Sequence, residues 1–328
     1  MTAPSEAPSL PLVAIVTPVY NGAAYLRETM DAVRTQTYPN LVHIVLDNAS
    51  TDATPAILAE YAGAPKRVQV FRNSALLPIT ENWNTALAHV PEDAKYFSVV
   101  CADDVIAPTF VQRMVELGEQ RPSVGVMGSS IHFNQGPTID MGWPDGQELF
   151  VGKEAMEMYF SNPSKYWLPS GHAFYRTAVI EPGKPFYRSH LAAQDIDATL
   201  RTLLSWDMGF LQDDLAMNRE HAATLTNSAL RKEKRHLYEW VYFLKRYGPI
   251  ALGKSRARDA LQLYNRCYLR QLARWGAGEN KNQYRIHMQG LARLGVAPRA
   301  WNWVDAAYDW ALSRISRRPL WVGYPYLY

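Results

Sequence analysis

The stretch Tyr96-Phe97-Ser98-Val99-Val100-Cys101-Ala102-Asp103-Asp104-Val105 sets an apolar, β-rich run directly before two adjacent carboxylates. A run of this kind predicts a buried strand. In an open α/β sheet, ligands bind at the carboxyl ends of the strands, which is where Asp103 and Asp104 then fall. Carboxylate oxygens suit a hard divalent cation, and Mg²⁺ commonly takes one or two carboxylates together with phosphate oxygens. Two acids also suit the start of a plain loop, since Asp is a common turn former. The neighbouring segments have to decide between a metal-assisted phosphate site and a turn.

Working outward, residues 12–17 form a β-rich apolar run stopped by Pro18, and residues 41–46 form a second. Residues 68–71 and 124–127 add two more strands around the one at 96–100. Helical spacing predicts helices over 23–36, 80–88 and 108–120, with a further helix starting near Thr54 and Pro55, capped by Asp52. Strand and helix alternate, so the sheet is expected to be mostly parallel with helices on both faces. Beyond about residue 130 the alternation loosens. Residues 133–152 and 161–171 read as loops able to line a cleft, 172–176 and 209–211 as short strands, and 194–204 as a helix. From residue 230 on, amphipathic helices are expected at 233–247, 255–275, 281–294 and 300–316.

The 328 residues are 48% hydrophobic and 20% charged, an ordinary globular balance. The net charge of +3 conceals an uneven distribution. Residues 1–230 hold 15 Lys/Arg against 25 Asp/Glu, whereas residues 231–328 hold 19 against 6 and six of the ten tryptophans. The expected organisation is a disordered lead-in at 1–10, a catalytic domain at 11–230 and a basic, aromatic-rich helical extension at 231–328. No apolar run approaches the ~18 residues that span a bilayer. Residues 1–10 lack the basic start and apolar core of a signal peptide. Cys101 and Cys267 form no disulfide or zinc pattern, and the expected location is cytoplasmic.

Several further motifs stand in order along the chain. They are Val16-Thr17-Pro18-Val19-Tyr20-Asn21-Gly22, Gln36-Thr37-Tyr38-Pro39-Asn40 and Leu46-Asp47-Asn48-Ala49-Ser50-Thr51-Asp52. Then come Glu81-Asn82-Trp83-Asn84, Ala102-Asp103-Asp104 with Pro108, Gln194-Asp195-Ile196-Asp197 and Asn218-Arg219-Glu220-His221. Together they make residues ~11–227 resemble the family-2 inverting glycosyltransferases, which use nucleotide-sugar donors. The resemblance implies a three-layer GT-A fold, a Rossmann-like α/β sheet, here followed by the helical extension. It also implies transfer of one sugar, with inversion, to a glycan or lipid-linked glycan.

By the resemblance, Pro18, Tyr20 and Asn21 form the wall beside the base, with Tyr20 able to stack on it, a contact worth ~1–3 kcal/mol in nucleic-acid sites. Asp47 and Asn48 follow the second strand at the base-reading turn. An amide both donates and accepts, so Asn48 favours a uracil or thymine edge, hence UDP or dTDP. Asn82 and Asn84 approach the diphosphate, and Arg72 suits a phosphate oxygen. Asp103 leans to the ribose and the metal, Asp104 holds Mn²⁺ or Mg²⁺, and His221 ligates the metal or bonds the leaving diphosphate. Asp195 is the expected general base. Asp195 and Asp197 are two apart on a helix, so only one can face the acceptor. Cys101 and Gln194 stand where acids are frequent in the family. They leave open a second reading, a catalytically weak sugar-nucleotide-binding or scaffolding protein.

Gly248-Pro-Ile-Ala-Leu-Gly253-Lys254-Ser255 fits the spelling of a phosphate-binding P-loop. The residues before it have helical spacing, and Pro249 lacks a backbone N–H, so no ATP site is expected. Gln271-Leu-Ala-Arg274-Trp275 fits a spelling found in processive synthases, but its setting is a basic amphipathic helix. No glycine fingerprint of a dinucleotide site follows the first strand. Two readings stand for residues 231–328. Trp301, Trp303, Trp310 and Trp321 with Arg314, Arg317 and Arg318 suit the inner face of a membrane as a peripheral attachment. Alternatively the extension packs on the acidic domain or on a second subunit, as a homo-oligomer. No nucleic-acid-binding motif is present, and no nucleic-acid partner is expected.

Overall fold

The computed structural model describes residues 10–62, 67–134, 136–221, 224 and 232–315. The lead-in expected at 1–10, Leu10 aside, lies outside the described residues, as do the expected boundary at 230 and Arg317, Arg318 and Trp321. The elements run β1 (Leu12–Val19), α1 (Leu26–Arg34), β2 (Leu41–Asp47), α2 (Thr54–Tyr61), β3 (Arg67–Arg72), α3 (Ile79–Leu87), β4 (Ala94–Val99) and β5 (Val105–Ile106). They continue with α4 (Phe110–Gln120), β6 (Val124–Phe133), β7 (Thr138–Ile139), β8 (Leu149–Phe150), α5 (Gly152–Ser161), β9 (Phe174–Arg176), α6 (Gln194–Thr202) and β10 (Asp207–Asn218). Five helices follow: α7 (His236–Arg246), α8 (Gly248–Ala251), α9 (Lys254–Arg274), α10 (Lys281–Arg293) and α11 (Ala300–Ile315).

One mixed sheet carries the fold in the order β3-β2-β1-β4-β9-β6-β10-β5, with β7 beside β6 and β8 beside β10. The long ladders β1–β2, β1–β4, β2–β3 and β6–β10 are parallel, and β9 is antiparallel to both β4 and β6. The period of two in β1 sends Ala14 and Val16 into one core and Val13 and Ile15 into the other. Helices cover both faces, which is why β1, β2 and most of β4 are buried throughout.

Where the elements differ from expectation, pairing explains it. β1 runs through Pro18 to Val19, because β4 pairs with it only as far as Val16. Past that point β1 is paired on the β2 side alone, through Pro18 and Val19. The β4 side, toward which Val16 O points, has no ladder there for the missing N–H of Pro18 to break. β10 is twelve residues long, far beyond the expected 209–211. Its register breaks around Asp214, and those irregularities hide the alternation that a sequence reading looks for. Helix α5 falls between the two expected loops and carried no clear signal.

The C-terminal helices share a core with the sheet. A single apolar cluster joins Val16, Phe97 and Tyr175 to Leu237, Trp240, Phe243 and Leu272. The Trp240 ring lies 5.4 Å from those of Tyr159 and Phe160 on α5. The P-loop spelling resolves into two helices joined by a turn, with Gly253 at φ +80 between α8 and α9. No strand precedes it, so the phosphate cradle has no scaffold.

Candidate active site

Strand ends converge on one side of the sheet. At the end of β1, Tyr20 is 47% exposed and Asn21 sits in the left-handed region at φ +50. Asn21 is held from both sides: its N–H donates to Ser50 Oγ at 2.9 Å, and its Oδ1 accepts from Thr51 N at 2.9 Å. Asp52 does not only serve α2. Its carboxylate accepts from Thr54 N at 2.9 Å and Ala23 N at 3.1 Å, tying the turn after β2 to the turn after β1.

Asp47 is buried at the end of β2, accepting from Ser50 N at 2.9 Å and pairing with the Arg72 guanidinium. Arg72 also donates to Ser50 O at 3.0 Å. The arginine expected on a phosphate is therefore placed on the carboxylate at the turn after β2. Asn48 donates to Leu77 O and accepts from Leu77 N and Asn73 Nδ2, each at 2.9 Å. Asn73 Nδ2 reaches Asn82 Oδ1 as well, at 2.9 Å. Asn84 closes both ends of its amide on the backbone of Tyr187, at 2.8 and 2.9 Å. The asparagines read as ligand contacts thus form a network that shapes the loop over the strand ends.

After β4, one ligand atom each of Cys101, Asp103 and Asp104 lies within 4.8 Å of the others. Asp104 is buried and accepts from Arg219 N at 2.8 Å, while Arg219 Nε donates to Asp103 O at 2.9 Å. The Arg219 guanidinium also lies over the Tyr25 ring, 4.6 Å from its centroid. His221 Nε2 stands 3.0 Å from Asp103 Oδ2. These contacts bring the end of β10 against the Asp pair across more than a hundred residues. Burial, then the charge of Asp104, raises the Asp103 pKa above the ordinary aspartate range. Two crowded carboxylates short of positive charge fit a divalent cation, whose hard character prefers oxygen donors. Burial, then the charges of Asp104 and Asp103, pushes the Cys101 thiol well above its usual pKa.

Asp195 opens α6. Its Oδ2 accepts from Gly171 N at 3.2 Å and its Oδ1 from Ile196 N at 2.9 Å. Burial raises its pKa above the aspartate value of 3.8, against the lowering effect of those backbone bonds. Asp197 points elsewhere, to Arg201 Nε at 3.0 Å and Tyr247 Oη at 2.6 Å. Asp103, Asp104 and Asp195 line one cavity of about 410 Å³. Its other walls are largely apolar, with Phe133, Trp167, Trp240 and Phe243 among them.

Three contributors escaped the sequence reading. His172, buried just before β9, sets Nε2 3.2 Å from Asp104 Oδ2. Glu239 of α7, fully buried, accepts from Ala192 N at 2.7 Å and Ala193 N at 2.9 Å, the amides just ahead of Asp195. Tyr247, at the end of α7, holds Asp197. A lone His and a Glu on an amphipathic helix carry no motif, so only the packing of distant segments reveals them.

Comparison with known proteins agrees with this architecture. The family profile described as Glycosyl transferase family 2 matches residues 14–194, over half of the chain. An uncharacterized glycosyltransferase of Haemophilus influenzae is 32% identical over 119 residues, 36% of this chain and 36% of that protein, so the match spans about a third of the relative's length. Glycosyltransferase GlyG of Streptococcus pneumoniae is 22% identical over 222 residues, 65% of this chain and 72% of that one. Among solved structures, S. aureus TarS 1–349 in complex with UDP-GlcNAc gives a TM-score of 0.68 at 15% identity, covering 93% of this chain and 92% of that one. The mannosyltransferase PcManGT from Pyrobaculum calidifontis, solved with GDP-Man and Mn²⁺, gives 0.57 at 18% identity, covering 94% and 81%. With the profile match over the strands that carry the acids, the chain belongs to glycosyl transferase family 2 and has a GT-A fold.

Proposed function

We propose that this glycosyltransferase moves a sugar from a UDP- or dTDP-sugar to a glycan or lipid-linked glycan with inversion. The observation that carries the reading is the shared cavity of Asp103, Asp104 and Asp195. Asp195 takes the proton of the acceptor hydroxyl while that oxygen bonds the anomeric carbon on the face opposite the diphosphate. The bond from the anomeric carbon to the phosphate oxygen breaks, and the nucleoside diphosphate leaves. A carboxylate in this role contributes ~10²–10⁴-fold in rate. Asp104 with Asp103 would hold a divalent cation, Mn²⁺ or Mg²⁺, which when bound would supply positive charge to the departing diphosphate. His221 steadies Asp103, and Arg219 brings a second cation to the same edge. Tyr20, exposed just past the end of β1, stacks on the base. TarS 1–349, solved with UDP-GlcNAc, and PcManGT, solved with GDP-Man, share the fold over most of this chain and support a nucleotide-sugar donor.

Titration calorimetry with UDP and Mn²⁺, followed by donor hydrolysis with wild type and Asp195→Asn, tests the reading. Tight binding with turnover that the variant loses is expected. Binding without turnover on any acceptor points instead to the sugar-nucleotide-binding protein that Cys101 and Gln194 allow. Among the described residues no helix is long and apolar enough to cross a membrane. We propose a cytoplasmic enzyme that works at the inner membrane face when its acceptor is lipid-linked.

A further inference from the structure

A second cavity, of about 300 Å³, lies within the helical part. Lys245 of α7, Arg258 of α9 and Arg299 of the segment before α11 all line it, together with Asn265, Asn302 and Trp301. None of its lining residues is an acid. The same helix α9 pairs three of its other arginines with acids, while Arg274 donates to Gln271. Arg256 reaches Glu157 at 2.5 Å, Arg266 reaches Asp305 at 2.9 Å and Arg270 reaches Asp309 at 2.5 Å. Among the described residues, no such ion pair joins Lys245, Arg258 or Arg299 to a carboxylate. Burial, then the charge of Arg299, lowers the Lys245 pKa, and Lys245 Nζ donates to Val296 O at 3.3 Å. Lys245, Arg258 and Arg299 are exposed, so water screens each of them, and three cations from three segments bordering one hollow give an entering anion several partners.

The hollow is distinct from the catalytic cavity, though one helix walls both. Trp240 and Phe243 of α7 face the catalytic cavity. Lys245 follows Trp240 by five residues, which turns it about 140° around the helix. Guanidinium groups match phosphate and carboxylate oxygens by two parallel bonds. Trp301, 56% exposed, offers an aromatic face of the kind that packs on a sugar ring, and the asparagine amides suit hydroxyls. We propose that this cavity binds an anionic sugar unit, bearing a phosphate or a carboxylate, as a second hold on the acceptor. Its role as an acceptor site rests on the glycosyltransferase reading; the binding of the anion does not. Two linked holds raise the effective concentration of a polymeric acceptor at the catalytic cavity.

Calorimetry with glucose 6-phosphate, inorganic phosphate and neutral glucose tests the proposal. Glucose 6-phosphate is expected to bind saturably and more weakly as salt rises, with inorganic phosphate weaker and glucose silent. The double variant Arg258→Ala/Arg299→Ala is expected to lose affinity about tenfold or more. Donor hydrolysis, run in parallel, is expected to stay at the wild-type rate, so loss of the exosite is read apart from loss of catalysis. Should the alanine variant unfold, Arg258→Gln/Arg299→Gln keeps the stems and removes the charge. Unchanged affinity in a folded double variant overturns the site, as does no binding of glucose 6-phosphate at millimolar concentration. Vesicles of phosphatidylglycerol in phosphatidylcholine form the last arm. Vesicle binding that depends on Arg258 and Arg299, without glucose 6-phosphate binding, reassigns the patch to a lipid surface and overturns the sugar site.

Discussion

In the sheet, Asp47, Asp104 and Asp195 stand at strand ends or a helix start and accept bonds from Ser50 N, Arg219 N and Gly171 N. In the helical part the buried acid Glu239 faces outward from its own helix and accepts from Ala192 N and Ala193 N of the sheet part. Asp104 and Asp195 line the cavity, whereas Asp47, paired with Arg72, and Glu239 are consumed by structure. A helical segment with 19 basic residues against 6 acidic ones in the sequence thus spends one of those few acids on the turn that carries Asp195. The helices therefore read as part of the catalytic architecture, with their charge surplus left for the opposite side of α7.

The sharpest break in that comparison is Asp195→Asn. Turnover is expected to fall by ~10²–10⁴ while calorimetry shows nucleotide affinity within a few-fold of wild type. The pH profile checks the same residue. A base works deprotonated, so the rate rises with pH through its pKa, and burial sets that rise above the ordinary aspartate range. An asparagine variant that keeps the acidic limb would assign the limb to another group.

Glu239→Ala comes next, because it leaves the two half-buried amides of Ala192 and Ala193 without their acceptor. A loss of about 1–3 kcal/mol is expected, a drop of a few degrees in melting temperature. If Glu239 only stabilises, turnover at a temperature well below melting stays at the wild-type value. If it positions the start of α6, kcat falls with little change in donor KM, and Glu239→Gln restores part of it.

Two buried histidines compare the halves by their acid sensitivity. Burial lowers the pKa of His43, bonded to Thr17 in the sheet, to about 3. Burial lowers that of His287, bonded to Tyr268 in the helices, to about 4. The unfolded chain takes these protons first, so stability is lost as pH falls below the ordinary histidine value of 6.5 toward those values. Between pH 7 and pH 5 each contributes on the order of 1–2 kcal/mol. Chemical denaturation of wild type, His43→Asn and His287→Asn at both pH values should show a shallower pH slope in each variant. Equal slopes in all three would place the acid sensitivity elsewhere. The smallest effect is expected from Tyr247→Phe. It removes one bond to Asp197, whose Arg201 contact remains, so about 1 kcal/mol is expected from the melting temperature.

The sequence alone placed Asp103 and Asp104 at a strand end, because an apolar run before two acids has one economical place in an α/β sheet. Hydrophobic periodicity made the alternation of β1 to α4 and most of the C-terminal helices legible. The long β10 was not, since its register breaks erase the period of two. Nor was the fate of Asn48 and Asn84, whose amides meet Leu77 and the backbone of Tyr187 only after the loops fold over the strands. The contacts of His172, Glu239 and the cationic hollow also had to wait for tertiary structure. Local sequence determines which residues prefer strands, helices and turns. Which distant groups share a cavity depends on packing between segments far apart in the chain, and no local period records it.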